Sequence, residues 1–172
     1  FNYNVMFNTS CGTTITANGS IRVNSNLVTF ANIQLPKTDE TIPKGSSKSV
    51  YAHIIAQGTY GTGQSTSPAI TAWIGYTTNA TDATNGNFTS GSWVWVPAPY
   101  NTGYDSSPSY QITKDEYWVS DFGQTTGYQF SDNAGDYYFV SRFQIDSETG
   151  YIYGGSDGTT ANISGGIWNG SN

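Results

Sequence analysis

Residues 136–146, with the sequence DYYFVSRFQID, are the stretch that decides the fold. Side chains two positions apart share one face, which is the periodicity of a β-strand. One face carries Tyr137, Phe139, Ser141, Phe143 and Ile145, and the other carries Tyr138, Val140, Arg142 and Gln144. Because both faces carry large side chains, we predict a strand that lies centrally in its sheet.

The same alternation recurs on both sides of this stretch. Gly, Pro, Asn or Ser interrupts it at intervals of about 8 to 12 residues, as in β-sandwiches. No helical pattern exceeds one turn. Further strands are predicted at residues 1–7, 13–17, 21–23, 27–35, 50–56, 70–76, 92–96, 109–113, 117–122 and 151–153. The predicted fold class is therefore an all-β, antiparallel β-sandwich.

Local signals predict some of the connections between these strands. The pair Asn18-Gly19 is typical of a tight turn and predicts a hairpin there. Pro97 is expected to close the strand that precedes it. Residues 79–91 are polar, and we expect them to be an exposed excursion between two strands.

The composition indicates an extracellular protein. Of the 172 residues, 10% are charged and 15% are aromatic, with 13 Tyr, 8 Phe and 5 Trp. Disordered chains lack so many aromatics, and uncharged polar residues with Tyr and Trp suggest a secreted all-β protein. The chain opens without Met and without a basic leader and apolar stretch. We therefore expect the mature form of a secreted protein whose signal peptide has been removed.

The charge and hydropathy patterns exclude two classes of partner. Asp and Glu number 12 and Lys and Arg number 6, which gives a net charge of -6. A nucleic-acid groove needs clustered basic residues, so we expect no nucleic-acid partner. No apolar run approaches the roughly 20 residues that a spanning helix needs, so we expect no membrane span.

The sequence predicts an apolar strand at residues 1–8, at the N-terminal end of the chain. Phe1, Tyr3, Val5 and Phe7 alternate with Asn2, Asn4 and Met6. A chain terminus is usually polar and frayed unless another element anchors it. We therefore expect these large side chains to be buried against a partner.

From residue 27 onward the chain resembles a β-sandwich module of secreted, multidomain bacterial proteins. The stretches that carry the resemblance are VTFANIQLP (28–36), SVYA (49–52), AITAWIGY (69–76), WVPA (95–98), DEY (115–117), GDYYFVSRF (135–143), YGG (153–155) and GGIWNG (165–170). The resemblance implies an immunoglobulin-like or jelly-roll-type sandwich over residues 27–172, preceded by an extension over residues 1–26. Such modules usually sit beside catalytic domains and are not known as catalysts themselves, so the resemblance implies a fold rather than an activity.

The chain departs from that module at both ends. In the module, the Gly-Gly-aromatic-Trp segment is followed by one more apolar strand that closes the sandwich, whereas here Asn172 follows shortly after Trp168. A sandwich that lacks an edge strand exposes an apolar slot and unpaired backbone groups. The strand at residues 1–8 has the alternation that such a slot accepts by β-augmentation.

This match leads to a hypothesis about function. If the strand fills the slot of a neighbouring copy, the contact is head-to-tail and builds a filament or tubule. The chain is then a structural protein that self-assembles by donor-strand complementation, and its partner is itself, as a homopolymer. Two alternatives stay open, because the strand could instead close its own domain or do neither.

A carbohydrate-binding accessory module is the alternative function. Aromatic side chains can form a platform for sugar rings, and a polysaccharide would then be the partner. The candidate residues are Trp93, Trp95, Trp118, Tyr100 and Tyr104. The competing interpretation is that Trp side chains fill the core, since Trp93 and Trp95 share one face.

The sequence offers no support for catalysis. The one histidine, His53, alternates with Ala52 and Ile54 in a predicted strand, which favours a structural role. No nucleophile and base can be argued around it. The acidic residues lie mostly in turns, where Asp is common in any case. We therefore expect a protein that is not an enzyme and has no catalytic residues.

Calcium is the cofactor that the acidic turns suggest. Calcium ions bind several oxygens, from carboxylates and from backbone carbonyls. The candidate ligands are Asp115, Glu116, Asp132 and Asp136. No EF-hand or other calcium repeat is present in the sequence, so no cofactor follows from a motif. Calcium at a subunit contact would offset the repulsion between acidic copies.

Overall fold

The computed structural model describes residues 2–8, 14–20, 28–36, 38–43, 46–56, 70–101, 115–122, 134–145, 150–155 and 166–168. Within these ranges the elements are β1 (Asn2–Asn8), β2 (Thr14–Ser20), β3 (Val28–Leu35), β4 (Lys48–Ala56), β5 (Ile70–Thr77), α1 (Ala80–Thr84), β6 (Val94–Ala98), β7 (Asp115–Phe122), β8 (Tyr138–Ile145), β9 (Ile152–Gly155) and β10 (Gly166–Ile167). The strands predicted at residues 21–23 and 109–113 lie outside the described residues. The described ranges hold no helix with the length and apolarity that crossing a membrane requires.

Strands β3 to β10 form a β-sandwich of two antiparallel sheets. One sheet has the strand order β10-β9-β8-β5-β6, and the other has the order β3-β4-β7. Each described pairing within them is antiparallel. The predicted all-β sandwich is therefore confirmed, and β8, formed by the deciding stretch, is the middle strand of the five-stranded sheet.

The hydrophobic core follows the alternation of the sequence. Val50 and Ile54 of β4, Ile74 of β5 and Phe143 of β8 are buried in one cluster. On the opposite face of β8, Val140 is buried in a second cluster. The middle strand is thus covered on both sides, which is why both of its faces carry large side chains. Burial of this apolar surface, at about 25 cal/mol per Å2, is the main stabilising contribution to the sandwich.

The two sheets are joined along one side by the chain that leaves β6. Beyond Ala98 this segment passes to the three-stranded sheet and pairs with β7 through a bridge between Tyr100 and Tyr117. The backbone N–H of Trp118 donates to the carbonyl of Pro99 at 3.1 Å, and that of Asn101 donates to the carbonyl of Glu116 at 2.8 Å. One continuous segment therefore belongs to both layers.

On the other side, β3 crosses β9 at very short range. A Cβ atom at Gly154 would lie 2.5 Å from the backbone carbon of Ala31 and the backbone nitrogen of Asn32. The Ser141 hydroxyl lies 3.1 Å from the carbonyl oxygen of Asn32 and 3.0 Å from that of Gly154, and it can donate to either. Glycine at position 154 is what allows the two layers to approach so closely.

The N-terminal extension differs from its predicted connectivity. β1 pairs with β2 in a two-stranded sheet of their own, with Tyr3 opposite Gly19 and Asn4 opposite Asn18. Asn18-Gly19 therefore lies inside a strand, and the hairpin turn predicted there is wrong. An Asn-Gly pair forms a turn only where its flanking segments pair with each other. Here the whole of β2 pairs with β1 instead.

Pro97 also lies at a different position in its strand from the predicted one. Pro97 lies within β6, opposite Trp73, so the prediction that it closes the strand is wrong. β6 is the edge strand of the five-stranded sheet. An edge strand tolerates proline because the missing N–H can face away from the neighbouring strand.

Candidate functional site

The side of the five-stranded sheet that faces away from the core carries an aromatic surface. Trp73 of β5 alternates with the buried Ala72 and Ile74, so it projects to this side. The register places Trp73 opposite Arg142 of β8, and Arg142 opposite Tyr153 of β9. We call the set of Trp73, Trp95, Arg142, Tyr151 and Tyr153 the outer aromatic face.

Arg142 lies at the centre of the outer aromatic face. Its guanidinium carbon is 4.0 Å from the ring centroid of Trp95, 4.2 Å from that of Tyr151 and 4.6 Å from that of Trp73. Each contact is a cation–π interaction, which contributes about 0.5–1 kcal/mol at an exposed site and more where water is excluded. The three rings therefore hold the guanidinium in a defined position.

In the part of the chain that the structure describes, no carboxylate neutralises this charge. Burial lowers the pKa of Arg142, whereas Tyr151, Tyr153 and a hydrogen bond with Tyr153 act in the opposite direction. Within the same ranges, the buried Nε of Arg142 meets no hydrogen-bond acceptor. A guanidinium stays protonated at physiological pH. The face therefore carries a fixed positive charge in a chain whose net charge is -6.

Two glycines allow indole rings to lie directly against the backbone. A Cβ atom at Gly75 would lie 2.6 Å from Cζ3 of Trp95, so the Trp95 ring occupies the space of a side chain. Gly86 has a φ of 63°, a conformation that other residues rarely adopt, and the Trp168 ring covers it in the same way. These two rings are positioned by the absence of a side chain beneath them.

A smaller cluster supports the outer aromatic face from one side. Phe88, Trp93 and Val140 are buried there, and Trp95, Tyr153 and Trp168 pack against them. The ring centroids of Phe88 and Tyr153 are 4.5 Å apart in a stacked arrangement. Those of Trp93 and Trp95 are 5.8 Å apart and also stacked. Packed rings therefore lie next to the exposed ones.

The segment that supplies Phe88 and Trp93 is organised by one carboxylate. Asn79 caps the N-terminus of α1, and its Oδ1 accepts hydrogen bonds from the backbone N–H groups of Thr81 and Asp82. Asp82 then accepts side-chain hydrogen bonds from Asn79 at 2.9 Å, Asn87 at 2.9 Å, Ser90 at 2.6 Å and Ser92 at 2.7 Å. The bonds from Ser90, Ser92 and Asn87 lower the pKa of Asp82, against an opposing effect of desolvation.

Most of residues 79–91 are exposed, as predicted, but the segment is more ordered than its sequence indicated. The segment is polar, but it is folded: it contains α1, and Phe88 is only 7% exposed. The side chains of Asn79, Asn87 and Ser90 in this segment bond to Asp82. The indole Nε1 of Trp93 donates to the carbonyl of Asn87 at 3.1 Å, which fixes the next buried ring to the same segment.

The structure does not gather the predicted carbohydrate residues in one place. Trp93 and Trp95 lie together, although Trp93 is buried. Trp118 stacks on Tyr51 of the other sheet, with centroids 5.5 Å apart. Tyr100 packs edge to face against the buried Tyr117. Tyr104 lies outside the described residues.

Four members of the outer aromatic face were missed by the sequence analysis. They are Trp73, Arg142, Tyr151 and Tyr153. The alternation of β5 and β8 was a usable signal, because it placed Trp73 and Arg142 on the faces opposite the core residues. What the sequence did not show was that β5, β8 and β9 are neighbours in one sheet.

His53 and Glu116 form a buried pair on the three-stranded sheet. The Nε2 of His53 lies 2.9 Å from Oε2 of Glu116, and both residues are at most 4% exposed. Asn101 donates to Oε1 of Glu116 at 2.6 Å, and Asn32 Oδ1 accepts from the backbone N–H of His53 at 3.3 Å. This network agrees with a structural role for His53.

The predicted calcium ligands do not form a cluster among the described residues. Both carboxylate oxygens of Glu116 are engaged by His53 and Asn101. Asp136 is exposed and lines a surface pocket of about 400 Å3. Asp115 lies in β7, and Asp132 lies outside the described residues. The described ranges hold no group of three or more His, Cys, Asp or Glu side chains, and calcium stays a prediction.

The predicted assembly residues belong to β1 and to the residue before it. Tyr3, Val5 and Phe7 lie in β1, opposite Gly19, Ala17 and Ile15 of β2. Phe1 lies outside the described residues.

No protein-family model, no curated protein and no solved structure matches this chain.

Proposed function

We propose that the chain is a secreted structural subunit that assembles head to tail by donating its N-terminal strand to the sandwich of a neighbouring copy. The observation that carries the proposal is that β1 and β2 form a sheet of their own, apart from the two sheets of the sandwich. A two-stranded sheet alone is marginally stable in water. Addition of such a strand to a larger sheet provides backbone hydrogen bonds and buries side chains.

The sequence of β1 suits this role. Tyr3, Val5 and Phe7 alternate with Asn2, Asn4, Met6 and Asn8, so one face of the strand is apolar along its length. A donated strand is recognised through such alternate side chains, while its backbone extends the sheet. The donated strand and the sandwich that accepts it are different surfaces of the chain, so the contact between two copies is heterologous. Repetition of that contact builds a filament or tubule.

The experiment compares the two faces of β1. We expect the variant Tyr3→Ser, Val5→Ser, Phe7→Ser to lose polymers in light scattering and negative-stain microscopy. The matched control, Asn2→Ser, Asn4→Ser, Met6→Ser, alters the opposite face of the same strand and is expected to polymerise. If both variants polymerise as the unmodified chain does, the proposal is wrong.

A mixing experiment separates donation from self-closure. A chain that lacks residues 1–8 can accept a strand but cannot donate one. Under the proposal, it caps growing polymers, so their mean length falls as the truncated chain is added. If the strand closes its own domain, the truncated chain is destabilised and has no effect on the polymers of the full chain.

A second candidate function is supported by the outer aromatic face. Trp73 and Trp95 are half-buried, and Tyr151 is 43% exposed, so rings remain accessible beside Arg142. Sugar rings stack on such surfaces, which supports a carbohydrate-binding module. Affinity electrophoresis on polysaccharide gels tests this function. Trp73→Ala is expected to abolish retardation, whereas Trp118→Ala, on the other sheet, is expected to preserve it; equal effects of the two would contradict the assignment.

A further inference from the structure

The unmatched charge of Arg142 indicates which kind of glycan would suit the outer aromatic face. The guanidinium lies over the rings of Trp73, Trp95 and Tyr151, whose faces offer cation–π contacts and not the directed hydrogen bonds of a carboxylate. Burial lowers the pKa of Arg142, a hydrogen bond with the Tyr153 hydroxyl raises it, and the buried Nε meets no acceptor among the described residues. A guanidinium has five N–H donors arranged to bind a carboxylate in a bidentate manner. The guanidinium of Arg142 therefore has further N–H groups that can donate hydrogen bonds to an anionic oxygen.

We propose that Arg142 binds the carboxylate of a uronic acid in a polysaccharide whose neighbouring sugars are neutral. This proposal rests on the carbohydrate-binding candidate above and adds the chemical class of the ligand. The accessible rings of Trp73 and Tyr151 stack on the apolar faces of sugars, and Arg142 between them pairs with the one acidic group.

The charge of the whole chain selects a sparsely charged glycan over a polyuronate. The chain has 12 acidic and 6 basic residues, so a ligand with a carboxylate on every sugar would be repelled by most of the surface. Surface repulsion of this kind acts over about 10 Å at moderate ionic strength, which is the length of a few sugar units. A single carboxylate that reaches Arg142 avoids that repulsion while its neutral neighbours contact the rings.

The partly buried location of Arg142 increases the contribution that a pair between its guanidinium and a carboxylate makes to binding affinity. Partial burial excludes water from one side of the guanidinium, and the effective dielectric constant there is lower than in bulk water. Hydrogen bonds between charged groups are also stronger than neutral ones. Loss of the carboxylate or of the guanidinium is therefore expected to weaken binding by about tenfold or more.

The test uses the full chain and acidic polysaccharides in which uronic acids are separated by neutral sugars: glucuronoxylan, xanthan and gum arabic. Each is compared with its carboxyl-reduced form, which keeps the sugars and loses the charge, and with polygalacturonate. We expect at least one native polysaccharide to retard the protein about tenfold more strongly than its reduced form, and polygalacturonate to bind weakly. This part of the test uses only the unmodified chain, so its result does not depend on whether a variant folds.

A second arm uses matched charge variants. Arg142→Gln removes the proposed contact, and Lys48→Gln removes the same unit charge from β4 of the other sheet. We expect Arg142→Gln alone to abolish the preference for native over reduced glycan.

The outcomes separate the two proposals. Equal binding of native and reduced glycans overturns the role of Arg142 and leaves carbohydrate binding intact. An equal loss of preference in both variants also overturns it, because general electrostatics would then explain the preference. No retardation on any glycan overturns both carbohydrate proposals and leaves the assembly proposal to its own test.

Discussion

The ring of Trp95 lies against the backbone of Gly75 on the neighbouring strand and, at 4.0 Å, against the guanidinium of Arg142. Gly75 pairs directly with Trp95 in the sheet, and Val140 lies on its other side. The position of the charge on the outer aromatic face thus depends on a glycine that carries no functional group itself.

We expect Gly75→Ala to displace Trp95 and to destabilise the fold by about 1–3 kcal/mol, the usual cost of inserting atoms into a packed site. Near-ultraviolet circular dichroism and thermal unfolding measure the two effects. Gly91→Ala is the matched control, because a Cβ atom there would meet nothing within 4 Å. Equal behaviour of the two variants would show that Trp95 does not need this space.

Gly154→Ala should destabilise the protein more than Gly75→Ala does. The added Cβ atom would meet the backbone of Ala31 and Asn32 rather than a side chain that can rotate away. We expect a loss of about 3 kcal/mol or more in urea unfolding, the upper part of the range for overpacking. Gly150→Ala, whose Cβ atom would meet nothing within 4 Å, should cost far less. A Gly154→Ala protein as stable as wild type would contradict the close crossing of β3 and β9.

Asp82 should make the stability of the fold depend on pH in the acidic range. Its pKa in the folded state lies below the ordinary value of 3.8. The carboxylate therefore contributes fully above that ordinary value, and the contribution disappears as the pH falls toward the lower, folded-state pKa. We expect Asp82→Asn to lower Tm at pH 7 and to differ less from wild type near pH 2. The exposed Asp39→Asn is the control, and a constant Tm difference at all pH values would refute this role for Asp82.

Removal of the Glu116 carboxylate should be costly because its partners are buried. In Glu116→Ala, the side chains of His53 and Asn101 lose the acceptor that they share. We expect a loss of about 3 kcal/mol in the free energy of unfolding, as when one member of a buried pair is removed. A double-mutant cycle with His53→Leu measures the coupling, and a coupling energy near zero would mean that the pair does not act as a unit.

Local alternation was enough to predict β3 to β9 of the sandwich, whereas the two-residue strand β10 was not predicted. The faces of β4, β5 and β8 could be predicted residue by residue, because a period of two separates buried from outward side chains without knowledge of their partners. Pro97 and Asn18-Gly19 were misjudged for the opposite reason. The effect of each depends on which strand lies alongside, and the sequence does not contain that information in local form.

The candidate site was harder to predict than the fold. Trp73 is distant in sequence from Arg142 and Tyr153, and it meets them only because β5 and β8 are neighbours in the sheet. The predicted carbohydrate-binding residues, by contrast, are all Trp or Tyr, and most of them lie close to one another along the chain. Trp118 was among them, but β7 carries it to the other sheet, where it stacks on Tyr51.

The segment from β6 to Asn101 has a mechanical consequence. It is bonded to β5 at its start and to β7 at its end, through Pro99 and Asn101. The two layers therefore resist sliding past each other, since any such shear must stretch backbone hydrogen bonds at both ends of one strand at the same time. A pull along this segment loads these bonds together instead of opening them one by one.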